Sequence, residues 1–127
     1  MVPTAQILIV EDDEDLRFVV EELLVDLGYR VASVSDGRAA LEYLHGHAPP
    51  SIIVLDLVMP RMDGAEFCRQ RRRHRALSSI PVFLFTGTAS THRQIARLGV
   101  HRVLRKPLVV SELIDAVANV LPRSPDA

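Results

Sequence analysis

Short apolar runs alternate with amphipathic segments along the whole chain. Five runs rich in Val, Ile, Leu and Phe predict β-strands at residues 6–10, 29–34, 52–56, 81–85 and 101–105. The third run is apolar at every position from Ile52 to Leu55. An uninterrupted run of this kind is typical of a strand covered on both faces, so it predicts the centre of a parallel sheet.

Between these runs, apolar residues recur every three or four positions, which is the spacing of a helix with one buried face. The first predicted helix ends at Gly28, and the next four span residues 37–45, 64–74, 90–98 and 110–121. Asp36 is expected to cap the second helix, and Gly99 to stop the fourth. The core face of the first helix is predicted to carry Leu16, Val19, Val20, Leu23, Leu24 and Leu27.

Five alternations of strand and helix predict a parallel α/β sheet with helices on both faces. Four of the strands run directly into polar residues, namely Glu11 and Asp12, Asp56, Thr86 and Lys106. Because the carboxyl ends of parallel strands share one edge of the sheet, these side chains are expected to converge there.

The composition is that of an ordinary globular domain. The 127 residues are 48% hydrophobic and 24% charged, with a formal net charge of −1. This balance gives no general attraction to nucleic acid or to a membrane, and no apolar run approaches the roughly 20 residues of a membrane span. The single cysteine, Cys68, excludes an internal disulfide, and the first residues lack a signal peptide, so a cytoplasmic location is expected.

The convergent residues have the chemistry of a phosphoryl-transfer site. Carboxylates packed together repel one another unless a cation lies among them, and oxygen ligands of this kind suit Mg²⁺. The hydroxyl of Thr86 and the ammonium of Lys106 are donors suited to an anion. Asp56 would act as the nucleophile that forms an acyl phosphate, and metal and lysine would neutralise the transferring group.

In this arrangement the sequence resembles the response-regulator receiver domains of two-component systems. Four motifs carry the resemblance: Glu11-Asp12 after ILIV, Asp56 in DLVMPRMDG, Thr86-Gly87 after FLF, and Lys106-Pro107. Each motif alone is weak, but their order and spacing together are highly specific and cover essentially the whole chain.

The resemblance implies a flavodoxin-like (βα)5 doubly wound sheet with strand order 2-1-3-4-5, and a cis peptide bond at Lys106-Pro107. It implies that Asp56 takes a phosphoryl group from a phosphohistidine on a histidine kinase or histidine phosphotransfer protein. The protein would then be a switch that assists its own phosphotransfer and dephosphorylation rather than an enzyme. The implied roles are Mg²⁺ ligation by Asp12, by Glu11 through water, by Asp56 and by the backbone carbonyl of Val58, and phosphoryl readout by Thr86 and Lys106.

Two features depart from the family pattern. Val103 stands three residues before the lysine, where the family often has an aromatic residue that rotates on phosphorylation. The segment between Thr86 and Lys106 is also about two residues short, roughly half a helical turn, which would trim the fourth helix. We therefore expect intact phosphorylation chemistry with an unusual output surface.

The first helix has a candidate docking surface. At 100° per residue, Phe18 and Val25 fall opposite a core stripe centred near Leu16, Val20 and Leu27. An exposed apolar pair rimmed by charge is a candidate partner site, and in this family the first helix commonly docks the kinase or phosphotransfer helix. The alternative is that both are scattered surface apolars. The charged rim consists of Glu14, Glu21 and Glu22.

Five arginines lie between residues 69 and 75, on the third predicted helix. A solvated helix face is the first interpretation, and a basic docking patch for an acidic partner is the alternative. Nucleic-acid binding is disfavoured, because no aromatic residues are interleaved. Cys68 is interpreted as buried filler, and the five histidines as surface residues without metal spacing.

Three other functions compete with the receiver interpretation. A dehalogenase-type phosphatase needs a second Asp two residues after the nucleophile, where this chain has Val58. A flavodoxin needs a phosphate loop rich in Ser, Thr and Gly after the first strand, where this chain is acidic. A receiver-fold interaction module that works without phosphorylation ranks second.

The chain is expected to be a single receiver domain over residues 1–127, with a core at about 5–121 and a frayed tail at 122–127. The initial Met favours a true amino terminus, while the other end is left open. Output would pass to a downstream protein target that the sequence does not name.

Overall fold

The computed structural model describes residues 4–57, 63–87 and 92–122, which contain eleven helices and strands joined by turns and loops. The strands are β1 Ile7–Val10, β2 Val31–Val34, β3 Ile52–Asp56, β4 Val82–Thr86 and β5 Arg102–Arg105. The helices are α1 Glu14–Asp26, α2 Gly37–Gly46, α3 Gly64–Arg72, α4 Arg75–Ser78, α5 His92–Ala96 and α6 Val110–Val120.

The five strands form one parallel sheet in the order β2-β1-β3-β4-β5, so the predicted topology is confirmed. β3 lies at the centre, with Leu55 opposite Val10 of β1 and Leu84 of β4. Every residue of β1, β3 and β4 is buried, because helices cover both faces of the sheet. This is the pattern that the uninterrupted apolar runs predict.

A separate hydrophobic core lies on each face of the sheet. On one face the strands pack against Leu44 of α2, Phe67 of α3 and Ile95 of α5. On the other face they pack against Leu24 of α1 and Val117 of α6. Cys68 is buried in the first core, which confirms its interpretation as filler.

Aspartate side chains begin three of the helices. Asp13, Asp36 and Asp63 each accept a hydrogen bond from a backbone N–H in the first turn, at 3.1, 2.8 and 2.9 Å respectively. Such caps satisfy amide groups that have no partner within the helix. The predicted cap at Asp36 is confirmed.

Some predicted boundaries differ from the observed ones. β2 begins at Val31 rather than at residue 29, and β5 begins at Arg102 rather than at 101. The predicted third helix ends at Arg72 instead of residue 74, where the chain turns and the N–H of His74 donates to the carbonyl of Arg71 at 3.1 Å. The short helix α4, which follows this turn, was not predicted. α5 is observed from His92, and the predicted start at residue 90 lies outside the described residues.

Two predictions about single side chains are wrong. Val19 is half exposed instead of facing the core, because it lies to one side of the face of α1 that buries Val20 and Leu24. Arg71 is only 2% exposed, so the interpretation of residues 69–75 as a uniformly solvated face fails there. The four histidines whose side chains are described, His45, His47, His74 and His101, are exposed as expected.

Candidate functional site

The polar residues at the strand ends meet in one cleft, as the topology predicts. The cleft has a volume of about 410 Å³ and lies at the carboxyl edge of the sheet. Its lining residues are Glu11, Asp12, Asp13, Asp56, Leu57, Thr86, Gly87 and Lys106. The residues that the sequence predicts from four separate strands therefore share one site.

Asp56 is the last residue of β3 and lies at the floor of this cleft. It is 5% exposed, and its Oδ1 lies 3.3 Å from Nζ of Lys106. The following residue is held in place because the N–H of Leu57 donates to the carbonyl of Phe85 on β4 at 3.0 Å. The sheet thus fixes the backbone on which the Asp56 carboxylate stands.

Glu11 is buried beside Asp56, directly after β1. Its Oε1 lies 3.6 Å from Nζ of Lys106, and its Oε2 accepts a hydrogen bond from the N–H of Asp13 at 3.2 Å. Burial, together with a hydrogen bond to the Asp56 side chain, raises the pKa of Glu11 to about 8. Two carboxyl groups this close are hard to ionise together without additional positive charge.

Glu11, Asp12 and Asp56 together fit a divalent cation. Each offers one carboxylate oxygen, and these oxygens all lie within 4.8 Å of one another. An oxygen-only donor set that includes the exposed Asp12 suits Mg²⁺, which keeps several of its waters. The fourth expected ligand, the backbone carbonyl of Val58, lies outside the described residues.

Lys106 reaches the acidic cluster from the end of β5. Its backbone N–H donates to the carbonyl of Thr86 at 3.0 Å, and its peptide bond to Pro107 is cis, as expected. Burial works against the charged ammonium, but the carboxylates of Asp56 and Glu11 outweigh it and raise the pKa of Lys106. Lys106 is also the only lysine among the 15 basic residues of the chain.

Thr86 and Gly87 form the wall of the cleft next to Lys106. Thr86 is the last residue of β4 and is 1% exposed. A Cβ at position 87 would lie 3.4 to 3.9 Å from the aliphatic carbons of Lys106. The glycine therefore leaves room for the Lys106 side chain to extend toward Asp56.

Sequence reasoning missed the role of Gly64. A Cβ at this position would lie 2.7 Å from the backbone oxygen of Asp56 and 2.8 Å from Cα of Leu57. The N–H of Gly64 donates to the carbonyl of Leu57 at 2.8 Å, which joins the start of α3 to the end of β3. The glycine in the DG pair was the available signal, because a glycine at a helix start can mark a close backbone approach.

The outer face of α1 carries the expected apolar pair. Phe18 is 61% exposed and Val25 is 49% exposed. Together with Glu21 and Glu22 they line a shallow depression of about 230 Å³. The exposure of the pair is confirmed, and Val19 adds further apolar surface on the same helix.

Comparison with known proteins identifies the family. The family profile described as "Response regulator receiver domain" matches residues 7–118. This chain belongs to that family. Its acidic cluster fits the phosphorylation site of two-component response regulators, and the alternative that works without phosphorylation is not favoured.

Curated response regulators share the receiver domain. The response regulator MprA of Mycolicibacterium vanbaalenii is 36% identical over 121 residues, which cover 94% of this chain and 51% of that protein. The alkaline phosphatase synthesis transcriptional regulatory protein SphR of Synechococcus elongatus is 32% identical over 132 residues, covering 96% and 51% respectively. The chain thus spans about half the length of the curated relatives it matches.

Solved receiver domains have the same fold. The chemotaxis protein CheY4 of Vibrio cholerae aligns with a TM-score of 0.84 and 30% identity, covering 94% of this receiver domain and all (100%) of that chain. The receiver domain of a sensor histidine kinase from Pseudomonas aeruginosa aligns with a TM-score of 0.82 and 28% identity. The alignment covers 93% of this chain and 98% of that one. That second structure has a magnesium ion coordinated in its active-site cleft.

Family membership sets the general class of activity. Receiver domains are signalling switches rather than enzymes of the ordinary kind, and they interact with histidine kinases. In the described part of this receiver domain, no helix has both the length and the apolar character needed to span a membrane.

Proposed function

We propose that this receiver domain accepts a phosphoryl group on Asp56 from a phosphohistidine and thereby changes its binding to a partner. The observation that carries the proposal is the contact of 3.3 Å between Nζ of Lys106 and Oδ1 of Asp56 inside a cleft lined with carboxylates. An ammonium there holds the nucleophile in place and faces the position that the incoming phosphoryl oxygens would take.

In the proposed reaction, one carboxylate oxygen of Asp56 attacks the phosphorus of the donor. A bond from Oδ to phosphorus forms, the donor's N–P bond breaks, and the electron pair of that bond leaves with the imidazole nitrogen. Lys106 balances charge on the phosphoryl oxygens, and the hydroxyl of Thr86 donates to one of them. Hydrolysis of the acyl phosphate would return the free carboxylate.

Glu11, Asp12 and Asp56, with the backbone carbonyl of Val58, would hold Mg²⁺ in this site. The chemistry that Mg²⁺ supplies when bound is neutralisation of negative charge on the transferring oxygens. The donor set of three neighbouring carboxylates supports this assignment. The magnesium ion in the related Pseudomonas aeruginosa structure also supports it.

The partners follow from the chemistry of the switch. We place docking of the histidine kinase or phosphotransfer protein on the α1 face around Phe18 and Val25, where apolar surface is rimmed by acidic side chains. Residues 1–127 would act as one receiver domain in the cytoplasm and pass the signal to a downstream protein. With Val103 in place of an aromatic residue, the output surface would respond differently from that of typical members.

Phosphorylation with a small-molecule donor tests the proposal directly. The wild-type protein, incubated with acetyl phosphate and Mg²⁺, should give a retarded band on a Phos-tag gel. Asp56→Asn should give none, because the amide is a poor nucleophile and forms no acyl phosphate. A retarded band of equal intensity in Asp56→Asn would contradict the assignment, and circular dichroism of both proteins controls for folding.

A further inference from the structure

The net charge of −1 conceals a strong separation of charge along the chain. Residues 64–105 contain nine arginines and a single carboxylate, Glu66. The remainder of the chain contains six basic and fifteen acidic residues. The positive charge is therefore concentrated on the segment from α3 to β5, while α1 and the phosphorylation cleft carry nine of the fifteen acidic residues outside it.

The buried Arg71 joins three parts of this positive segment. Its Nη1 donates to the carbonyls of Leu77, Ser78 and Ile80, at 3.1, 2.8 and 3.2 Å. Its Nη2 donates to the carbonyl of Gly99 at 3.3 Å. One guanidinium thus holds the end of α3, the segment around α4 and the turn between α5 and β5 against one another.

Arg72 lies over the same turn. Gly99 has a positive φ of 66°, and a Cβ at this position would overlap the guanidinium of Arg72. The glycine therefore serves both the backbone conformation and the close approach of the arginine. As a result, the exposed end of α3 and the α5–β5 turn form one continuous surface.

We define the arginine surface as Arg72, Arg75, Arg97 and Arg102, which are exposed on these joined segments. Among the residues that the structure describes, no carboxylate lies within 4.0 Å of any of these four guanidinium groups. By contrast, Nη2 of Arg69 lies 2.7 Å from Oε2 of Glu66. Glu66, the single carboxylate in residues 64–105, is therefore already paired with Arg69.

The arginine surface is separate from the phosphorylation site. Arg102 pairs in register with Phe83 near the start of β4, whereas the cleft lies at the opposite end, where Thr86 faces Arg105. α3 and α5 cover the sheet face opposite to α1. The surface is thus distinct from the proposed kinase-docking face as well.

We propose that the arginine surface docks an acidic segment of a partner polypeptide. Guanidinium groups present paired donors that match carboxylates in a bidentate geometry. Within the described parts of the chain, four of them lie here without a carboxylate partner. The partner would supply carboxylates to these four guanidinium groups, which have none within 4.0 Å among the described residues. The proposal does not depend on phosphorylation of Asp56.

A nucleic acid fits the surface less well than an acidic peptide. None of the four Phe and two Tyr residues of the chain belongs to it, so it lacks the Phe or Tyr platform on which single-stranded bases commonly stack. An extended polyanion would also meet the repulsion of fifteen acidic residues elsewhere on the molecule. A short acidic segment avoids both problems.

Fluorescence anisotropy tests the proposal with a fluorescein-labelled peptide of roughly ten residues that alternates Glu and Ser, in about 150 mM NaCl. The double variant Arg97→Glu/Arg102→Glu should bind it at least about tenfold more weakly than wild type. The matched control Arg30→Glu/Arg38→Glu makes the same change in net charge at exposed positions elsewhere and should lose less than about threefold. Equal losses in both variants, or no binding by wild type, would overturn the proposal.

Two further measurements exclude other occupants. A fluorescein-labelled single-stranded DNA of equal charge should bind more weakly than the peptide, and tighter binding would make the surface a nucleic-acid site. Sedimentation velocity should show the chain as a monomer, and a dimer abolished only by Arg97→Glu/Arg102→Glu would make the occupant a second copy. Labelling by acetyl phosphate should be unchanged in that variant, which keeps this test independent of the phosphorylation site.

Discussion

At the level of single residues, the site is a balance between one ammonium and several carboxylates. Nζ of Lys106 lies within 3.6 Å of a carboxylate oxygen of both Glu11 and Asp56, and all three residues line the same cleft. A cation entering the cluster therefore competes with a positive charge that is already there. The lysine should weaken metal binding in the resting protein even though it assists the phosphoryl transfer.

The first prediction concerns Lys106→Met. Removal of the ammonium leaves the carboxylates without their counter-charge, so Mg²⁺ should bind about tenfold more tightly, a gain of about 1.4 kcal/mol. Isothermal titration calorimetry with MgCl₂ measures the change. Arg38→Met, which removes an exposed charge on α2, is the matched control and should leave the affinity unchanged. Unchanged or weaker binding in Lys106→Met would contradict the electrostatic account.

The second prediction concerns Gly64, where a Cβ would collide with the backbone of β3. Gly64→Ala should destabilise the protein by about 1–3 kcal/mol, because backbone atoms cannot move aside as a flexible side chain can. Gly46, at the end of α2, has nothing within 4 Å of its Cβ position. Gly46→Ala should therefore stabilise by about 0.5–1 kcal/mol. Urea unfolding measures both, and a neutral Gly64→Ala would show that the backbone relaxes freely.

At the level of elements, the apolar runs predict the strands well because both faces of the sheet are covered. β3 and the carboxyl edge where Asp56, Thr86 and Lys106 meet follow from strand composition and parallel topology alone. The burial of Arg71 does not follow from them, because its side chain binds carbonyls as distant in the chain as that of Gly99. Helical periodicity alone predicts that Arg71 faces solvent, because the carbonyls that accept its hydrogen bonds belong to residues outside its own helix.

The third prediction concerns α1 as a docking element. Phe18→Ala should slow phosphotransfer from a phosphorylated histidine kinase at least about fivefold, because exposed aromatic residues contribute strongly to small interfaces. Labelling by acetyl phosphate should stay the same, since Phe18 does not line the cleft. Arg38→Ala on α2, at the other sheet face, should transfer at the wild-type rate. Equal slowing with both donors would argue against a docking role.

At the level of the whole molecule, the site connects four of the five strands, so its occupancy should affect global stability. A ligand that binds only the folded state stabilises it in proportion to the logarithm of its concentration over its dissociation constant. Glu11, Asp56, Thr86 and Lys106 meet only when β1, β3, β4 and β5 are assembled, so the unfolded chain has no such site.

The fourth prediction is therefore a thermal shift. Mg²⁺ with beryllofluoride, at about 100 times the dissociation constant, should raise the melting temperature by about 5 °C or more. Asp56→Asn should show no such rise with beryllofluoride, because its amide does not coordinate beryllium as the carboxylate does. Differential scanning calorimetry makes the comparison, and an equal shift in the variant would place the ligand away from Asp56.

The single lysine of this sequence makes the switch chemically addressable. A reagent that acylates primary amines can react with only one side chain here, and that side chain reaches into the cleft with 31% of its surface exposed. Apart from the chain's own α-amine, every adduct reports on this one position. The speed of acylation, followed by mass spectrometry, would therefore record whether the cleft is open or filled.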